Sequence, residues 1–117
     1  MGRLTTHILD TANGCPASGV TIKLFSVDDD GTLTAINSVV TNSDGRCDGA
    51  VLDGDAFGSG VYELQFHVGA YFMDGPASSD PVFLDIVPVR FGISAADEHY
   101  HVPLLISPFG YSTYRGS

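Results

Sequence analysis

Residues 61–68 read VYELQFHV and carry the clearest β signal in the chain. Apolar and polar side chains alternate along this stretch, which is the period of a strand with one buried face. The apolar members would share the core face, and they are Tyr62, Leu64, Phe66 and Val68. The opposite face would carry the polar members, Glu63, Gln65 and His67. The stretch therefore predicts a β-strand and not a helix.

Seven further strand-like runs lie on either side of this stretch. They are residues 4–10, 20–27, 32–41, 47–52, 82–91, 99–107 and 111–114. Turn residues separate them, and the Asp-Gly pair at 44–45 is a hairpin signal because glycine accepts a positive φ. Pro88 indicates that the 82–91 run lies at a sheet edge or a bulge. With one helical turn near residues 70–73, these runs predict an all-β sandwich of two sheets and about eight strands.

The size and composition of the chain fit one globular domain. Its 117 residues are near the commonest domain size, and a hydrophobic fraction of 44% argues against disorder. Fourteen glycines and six prolines divide the chain into short pieces, which suits a β protein with many turns. We expect a single domain over residues 1–117.

The charge of the chain excludes two classes of partner. Five Lys and Arg against 14 Asp and Glu give a formal net charge of −9. Such a chain is repelled by nucleic acid phosphates and by anionic membrane lipid, so neither is expected as a partner. An anionic substrate would need a local cationic pocket, which directs attention to the few arginines.

The cysteines and the hydropathy pattern predict a cytoplasmic location. Cys15 and Cys47 match no zinc spacing and are too few for a disulfide framework, so free thiols in a reducing compartment are expected. Residues 1–10 contain no apolar signal-peptide core. No run approaches the ~18 apolar residues of a spanning helix.

The strand predicted at 99–107 has an unusual second face. One side is an ordinary core face, but the other mixes histidine with apolar residues. Its members are His99, His101, Pro103 and Leu105. A face that is too apolar for solvent and also carries polar chemistry is typical of a subunit interface. We infer an oligomer whose interface contains His101.

Three side chains are the first candidates for chemistry. His7 and His101 lie within predicted strands, and histidine titrates near neutral pH. Arg46 follows the 44–45 turn, at a strand end where loops build sites. Taken singly, each is more often an ordinary surface or interface residue. A metal site that joins His99 to His101 and His7 is an alternative, although no carboxylate or thiolate spacing completes it.

Two other features are weaker signals. The aspartate clusters at 28–31 and 53–55 resemble fragments of a calcium loop but lack the further acidic ligand, so both are interpreted as turns. The last seven residues, 111–117, read YSTYRGS. A strand-forming run that ends in Arg-Gly-Ser predicts a tail that is tied down, whereas chain ends are usually frayed.

Three stretches taken together carry a family resemblance. The first is LTTHILDT at 4–11 with GCPA at 14–17, the second is TNSDGRC at 41–47, and the third is YHVPLLISP at 100–108 followed by YRGS at 114–117. With these stretches the chain resembles the transthyretin-related 5-hydroxyisourate hydrolases over essentially its whole length. Residues 83–87, FLDIV, depart from the family pattern on a scaffold strand.

The resemblance implies a transthyretin-like sandwich that assembles as a homotetramer, a dimer of dimers with active sites where the pairs stack. It implies hydrolysis of 5-hydroxyisourate to 2-oxo-4-hydroxy-4-carboxy-5-ureidoimidazoline in urate breakdown, without metal or cofactor. The catalytic residues that it implies are His7, Arg46 and His101. The substrate-binding residues that it implies are His7, Arg46, Tyr114, Arg115, Gly116 and Ser117. The alternative is a transthyretin-like carrier without turnover, although transthyretin itself lacks this set of residues.

The implied residues suit the addition of water to a ring carbonyl. Our hypothesis is that His7 and His101 share the proton transfers, and the sequence leaves open which of them is the base. Arg46 would offer a planar fork of donors to the oxygens of the substrate. Tyr114 would close the pocket, with Arg115 and the terminal segment holding it in place.

Overall fold

The computed structural model describes residues 2–73, 75 and 79–116, and in this part of the chain two four-stranded sheets enclose one hydrophobic core. The strands are β1 (Arg3–Asp10), β2 (Cys15–Pro16), β3 (Thr21–Val27), β4 (Leu33–Val40), β5 (Gly60–His67), β6 (Ile86–Ile93), β7 (His99–Ser107) and β8 (Gly110–Thr113). A five-residue helix, α1 (Val68–Phe72), follows β5, and a 3₁₀ turn covers Gly54–Ala56. The predicted all-β sandwich is confirmed, and the helical turn predicted near residues 70–73 corresponds to α1, whereas the 3₁₀ turn at Gly54–Ala56 was not predicted.

The order of the strands determines which side chains meet. One sheet has the order β2-β1-β7-β8 and the other has the order β4-β3-β5-β6. The pairing of β1 with β7 is parallel, whereas the other strand pairs are antiparallel. In the parallel register, Arg3 lies opposite His99 and Thr5 lies opposite His101. Alternate residues of these two strands therefore project side by side from the outer face of the first sheet.

The core follows the alternation of the sequence. The predicted core face of β5 and the residue after it is confirmed, because the four side chains are at most 7% exposed. Those residues are Tyr62, Leu64, Phe66 and Val68. The inner face of β7 is buried in the same way by Tyr100, Val102, Leu104 and Ile106. Burial of each large apolar side chain contributes about 1.5–3 kcal/mol, which fixes the register of both strands.

The predicted strand at 47–52 is wrong. This segment runs along the free edge of β1, where Leu52 and Leu4 form an isolated antiparallel bridge. Gly49 has a φ of 120°, which turns the chain out of an extended path. After the 44–45 turn the chain runs along β1, where Arg46 forms a bridge with His7, so the turn does not close a hairpin.

One unpredicted strand and one strand boundary also differ from the prediction. The short strand β2 was not predicted, because two residues are too few to show periodicity. The strand predicted at 82–91 begins only at Ile86, since the carbonyl of Asp85 accepts a hydrogen bond from the Gly69 amide of α1 at 2.9 Å. Pro88 lies on β6, which is an edge strand as predicted.

Glu63 shows that the outer face of β5 is not simply solvated. The side chain points away from the core, as predicted, but the residue is only 6% exposed. Its carboxylate accepts hydrogen bonds from Arg90 Nε at 3.1 Å and from Gln65 Nε2 at 2.8 Å. Pairing of this kind is what allows a carboxylate to be buried.

The one α-helix in the described part of the chain is far too short to cross a bilayer, and no candidate membrane-spanning helix is found there.

Candidate active site

A cavity of about 540 Å³ opens on the outer face of β1 and β7. It exists because the parallel pairing aligns the outward side chains of the two strands. The loop at 42–46 (the loop) and residues 114–116 (the tail) lie against these side chains and complete the cavity wall. The residues that line it are Arg3, Thr5, Thr6, His7, Arg46, Cys47, Gly49, His99, His101, Tyr114 and Gly116. The three predicted catalytic side chains, His7, Arg46 and His101, therefore lie on one cavity.

The histidines of the cavity are joined through a hydroxyl group. Thr5 Oγ1 lies 2.7 Å from Nδ1 of His101 and 2.7 Å from Nε2 of His99. The ring of His7 is tilted against that of His101, with 6.1 Å between their centroids. The two imidazoles therefore lie close together on the wall of one cavity.

Arg46 is brought to the cavity by a loop that is bonded to β1. The Ile8 amide donates to the carbonyl of Gly45 at 2.9 Å, and Arg46 forms an isolated bridge with His7. Gly45 has a φ of 72°, and a Cβ there would collide with the carbonyl oxygen of Ile8. Only glycine accepts both the dihedral angle and the close approach.

Asn42 holds the same loop from within. Its Oδ1 accepts hydrogen bonds from the Asp44 and Arg46 amides at 2.9 and 3.2 Å. The backbone amide of Asn42 donates to the carbonyl of Arg46 at 2.7 Å. Asn42 therefore holds both the N–H and the C=O of Arg46, which fixes the backbone from which its side chain reaches the cavity.

The tail returns to β7, so the prediction of a tied-down tail is confirmed as far as Gly116. The Gly116 amide donates to the carbonyl of His101 at 2.8 Å, and Tyr114 lines the cavity. The side chain of Arg115 lies elsewhere: it contacts Glu98 at 3.0 Å and stacks over the Tyr100 ring at 4.0 Å. Arg115 therefore holds the tail from outside the cavity. Ser117 is outside the described residues.

Burial and charge favour the neutral form of both catalytic-candidate histidines. Burial is the larger cause that lowers the pKa of His7, and the Arg46 guanidinium is the second. Burial also lowers the pKa of His101, followed by the charges of Arg46, His7 and His99. Both pKa values lie below the ordinary value of about 6.5, so both rings are neutral and able to accept a proton at pH ~7.

The charge of the cavity opposes that of the chain. The described lining includes two guanidinium groups, those of Arg3 and Arg46, and no carboxylate. The whole chain nevertheless carries a formal net charge of −9. A concave site with this local excess of positive charge favours an anionic or oxygen-rich ligand.

The described donor groups of the cavity do not form the metal site that was the alternative expectation. In the residues that the structure describes, no group of three or more His, Cys, Asp or Glu side chains is arranged to hold a metal ion. Nε2 of His99 and Nδ1 of His101 are both engaged with Thr5. The arrangement offers acid–base chemistry through neutral imidazoles beside a fixed cation.

The model of one protein family, described as Transthyretin: HIUase/Transthyretin family, matches residues 4–116. The chain belongs to the HIUase/Transthyretin family. It is 58% identical to 5-hydroxyisourate hydrolase 2 of Rhizobium meliloti (strain 1021), over 99% of this chain and 97% of that protein.

Solved structures of the HIUase/Transthyretin fold superpose on it closely. A crystal structure of (S)-allantoin synthase gives a TM-score of 0.91 at 48% identity, over 99% of this chain but only 44% of that one. Sea bream transthyretin in complex with thyroxine gives 0.86 at 31% identity, over 97% and 94% of the two chains.

Several lining residues of this HIUase/Transthyretin chain were not predicted as site residues from its sequence. Arg3 and Thr5 share the outward side of β1 with His7, so the alternation of that strand carried a signal for both. His99 was considered as a member of the interface face and as a metal ligand, and it lies in the cavity beside Thr5. Cys47 carried no signal, because a cysteine beside a turn has no chemical pattern of its own.

Proposed function

We propose that this chain hydrolyses 5-hydroxyisourate to 2-oxo-4-hydroxy-4-carboxy-5-ureidoimidazoline, a step in urate breakdown. The observation that carries the proposal is that His7, Arg46 and His101 line one cavity that is free of carboxylates in its described lining. The relative from Rhizobium meliloti, 58% identical over nearly the whole length, is named for hydrolysis of this substrate. The cavity suits this substrate because the substrate is a flat, oxygen-rich ring and the lining carries the guanidinium groups of Arg3 and Arg46.

The reaction requires a water molecule to add to a ring carbonyl and the adjacent C–N bond to break. One imidazole takes a proton from the water as the water oxygen bonds to the carbonyl carbon, and the resulting imidazolium gives that proton to the leaving nitrogen as the C–N bond breaks. We assign the first step to His101, whose ring is held by Thr5 at Nδ1. We propose that His7, whose ring centroid lies 6.1 Å from that of His101, contacts the reacting group as well.

Arg46 supplies the positive charge that the reaction needs. The carbonyl oxygen becomes an oxyanion as the water adds, and a guanidinium can donate two parallel hydrogen bonds to such oxygens. After burial, which is the larger cause, the same charge lowers the pKa values of His7 and His101 and so favours their neutral forms. Arg46 therefore acts on both the substrate and the proton acceptor.

The tail completes the pocket in this proposal. Tyr114 and Gly116 lie on the cavity wall, where the aromatic ring of Tyr114 can orient a flat ligand. Arg115 contributes by anchoring, through its ion pair with Glu98 and its stacking on Tyr100. Ser117 is proposed to contact the substrate from the end of the same segment.

The working form is proposed to be a homotetramer, a dimer of dimers. The outer face of β7 carries the half-buried side chains of His101 and Leu105 on either side of Pro103, which is already buried within one chain, and this mixture of apolar and reactive groups suits an interface. Stacking a second pair of subunits on this face would close the mouth of the cavity against water. Cys15 and Cys47 are both free thiols, which supports the proposed location in the reducing cytoplasm.

A carrier without turnover is the second candidate, because sea bream transthyretin shares the fold at 31% identity. An absorbance assay with freshly made 5-hydroxyisourate separates the two. We expect substrate loss to accelerate in proportion to protein concentration, and heat-denatured protein to have no effect. Saturable binding of the substrate with a decay rate equal to that in buffer would establish the carrier and refute the hydrolase.

A further inference from the structure

We propose that Thr5 and His99 are positioning residues that fix the tautomer and the ring orientation of His101, so that its Nε2 faces the reacting water as the proton acceptor. This inference rests on the hydrolysis proposed above and deepens it. It adds a chain of three side chains, His101–Thr5–His99, to the cation and the second imidazole already described.

The hydroxyl group of Thr5 constrains both histidines at once. A threonine hydroxyl has one proton and two lone pairs, and Thr5 Oγ1 makes two contacts of 2.7 Å, one with each ring. Thr5 can donate in only one of these two contacts. At least one of the imidazoles must therefore donate an N–H to Thr5, which couples its tautomer to that of the other ring.

The charge of the cavity indicates in which direction the hydrogen bonds between His101, Thr5 and His99 run. Nδ1 of His101 is engaged with Thr5, so Nε2 is the ring nitrogen that remains for the cavity that Arg46 also lines, and a nearby cation favours a lone pair over an N–H on that nitrogen. His101 then carries its proton on Nδ1 and donates it to Thr5. Thr5 in turn donates its hydroxyl proton to Nε2 of His99, so Nε2 of His101 stays unprotonated.

The ring of His101 is held mechanically as well. Thr5 lies directly opposite it in the β1–β7 register, and its β-branched side chain has few rotamers. On the other edge of the ring, the Cα of Gly116 approaches so closely that a Cβ there would lie 2.7 Å from Cδ2 of His101. The imidazole is thus clamped between Thr5 and the tail, with Nε2 making no hydrogen bond to any described residue.

The pH dependence of this base depends on a small set of neighbours. The residue that responds is His101, and loss of the Thr5 oxygen would destabilise its imidazolium and lower its pKa. The charged and titratable groups around it come from β1, β7, the loop and the tail. Among the described residues they are Arg3, His7, His99, Arg46, Cys47 and Tyr114, while Arg115 is turned outward to Glu98.

The kinetic test compares Thr5→Val, which keeps the shape, with Thr5→Ser, which keeps the hydroxyl. We expect Thr5→Val to lower kcat about 10- to 100-fold with little change in KM, and Thr5→Ser to recover most of it. The acid limb of the Thr5→Val profile should move to lower pH. Wild-type kcat and an unmoved limb in Thr5→Val would overturn the proposal.

The contribution of His99 is tested by a double-mutant cycle. His99→Phe keeps a ring but removes the acceptor, so the Thr5 hydroxyl is free to rotate towards His101, and kcat should fall several-fold. In Thr5→Val/His99→Phe we expect no loss beyond that of Thr5→Val alone, because the two residues act through one chain. Losses that simply multiply would show that His99 acts independently and would refute its place in the chain.

A spectroscopic test does not depend on turnover. Nitrogen-15 NMR of the histidine side chains, recorded on the whole protein above the acid limb, reports which ring nitrogen of His101 carries the proton. We expect Nδ1–H in the wild type and a shift towards Nε2–H in Thr5→Val. An Nε2–H tautomer in the wild type would overturn the proposal even if the protein hydrolyses 5-hydroxyisourate, whereas the expected tautomer without turnover would refute only the proposed function.

Discussion

Arg46 affects the cavity between β1 and β7 in two ways. Its guanidinium is one of two cations on the described lining, and its charge is the second cause, after burial, of the low pKa values of His7 and His101. A low pKa keeps the imidazoles neutral, and a neutral imidazole is the form that accepts a proton. Removal of the charge should therefore change both the rate and its pH dependence.

For Arg46→Gln we expect kcat/KM to fall about 100-fold or more, because a donor to the developing oxyanion is lost. The remaining activity should have its acid limb at higher pH than the wild type, since the pKa values of His7 and His101 rise when the cation is gone. Lys23→Gln, which removes an exposed cation from β3, is the matched control and should leave both quantities unchanged. A profile of kcat/KM from about pH 5 to 8 measures both. A limb that stays in place would contradict the electrostatic role of Arg46.

Because Gly116 has no side chain, the tail can lie directly against the ring of His101. A Cβ at this position would lie 2.7 Å from Cδ2 of His101, so Gly116→Ala must displace either the tail or the ring. We expect kcat to fall about 10-fold or more, because a shift of about 1 Å in a catalytic group is enough to lose much of its rate. Gly58→Ala, where a Cβ would meet nothing within 4 Å, should behave as the wild type. Equal rates for the two variants would show that the clamp on His101 is not needed.

The tail is an element whose removal should separate activity from folding. Strand β8 ends at Thr113, and residues beyond it contribute to the cavity but not to the buried core. A chain that ends at Thr113 should therefore keep its circular dichroism spectrum and lose at most a few degrees of melting temperature, while its turnover falls below detection. Retained turnover in the truncated chain would remove the tail from the site.

The strands could be predicted from sequence wherever one face is buried. In β5 and β7 each apolar residue of the alternation points into the core, so a shift of one residue would expose the whole set. The two-residue β2 and the irregular segment at 47–52 have no such pattern. That segment is held to β1 by local bridges and by the dihedral angle of Gly49, neither of which has a periodic signal.

The site could be predicted only in part for a related reason. His7, Arg46 and His101 were singled out as candidates, but nothing in their local sequence shows that they meet. The meeting depends on the parallel pairing of β1 with β7 across more than 90 positions of the chain, and on the return of the 42–46 loop to β1. Long-range pairing of this kind was supplied by the family resemblance and not by residue patterns. For the same reason Thr5, which bridges two histidines, was not recognised.

The assembly of the molecule gives a further prediction. The outer face of the β2-β1-β7-β8 sheet is proposed to be covered by a second pair of subunits, so wild-type protein should sediment at about four times the 12.3 kDa of one chain. Leu105→Glu puts a charge on this face and should reduce the mass to that of a dimer, with loss of activity. Leu33→Glu, on the edge strand β4, is the control and should remain tetrameric. A wild-type mass of one chain would contradict the assembly.

The account as a whole depends on proton transfer by an imidazole in the cavity between β1, β7, the loop and the tail. The test is the rate of loss of fresh 5-hydroxyisourate with His101→Asn, set beside His67→Asn as a control from the opposite sheet. We predict that His101→Asn lowers kcat/KM by about 100-fold or more and that His67→Asn stays near the wild type. A His101→Asn protein that hydrolyses the substrate as fast as the wild type would contradict the account.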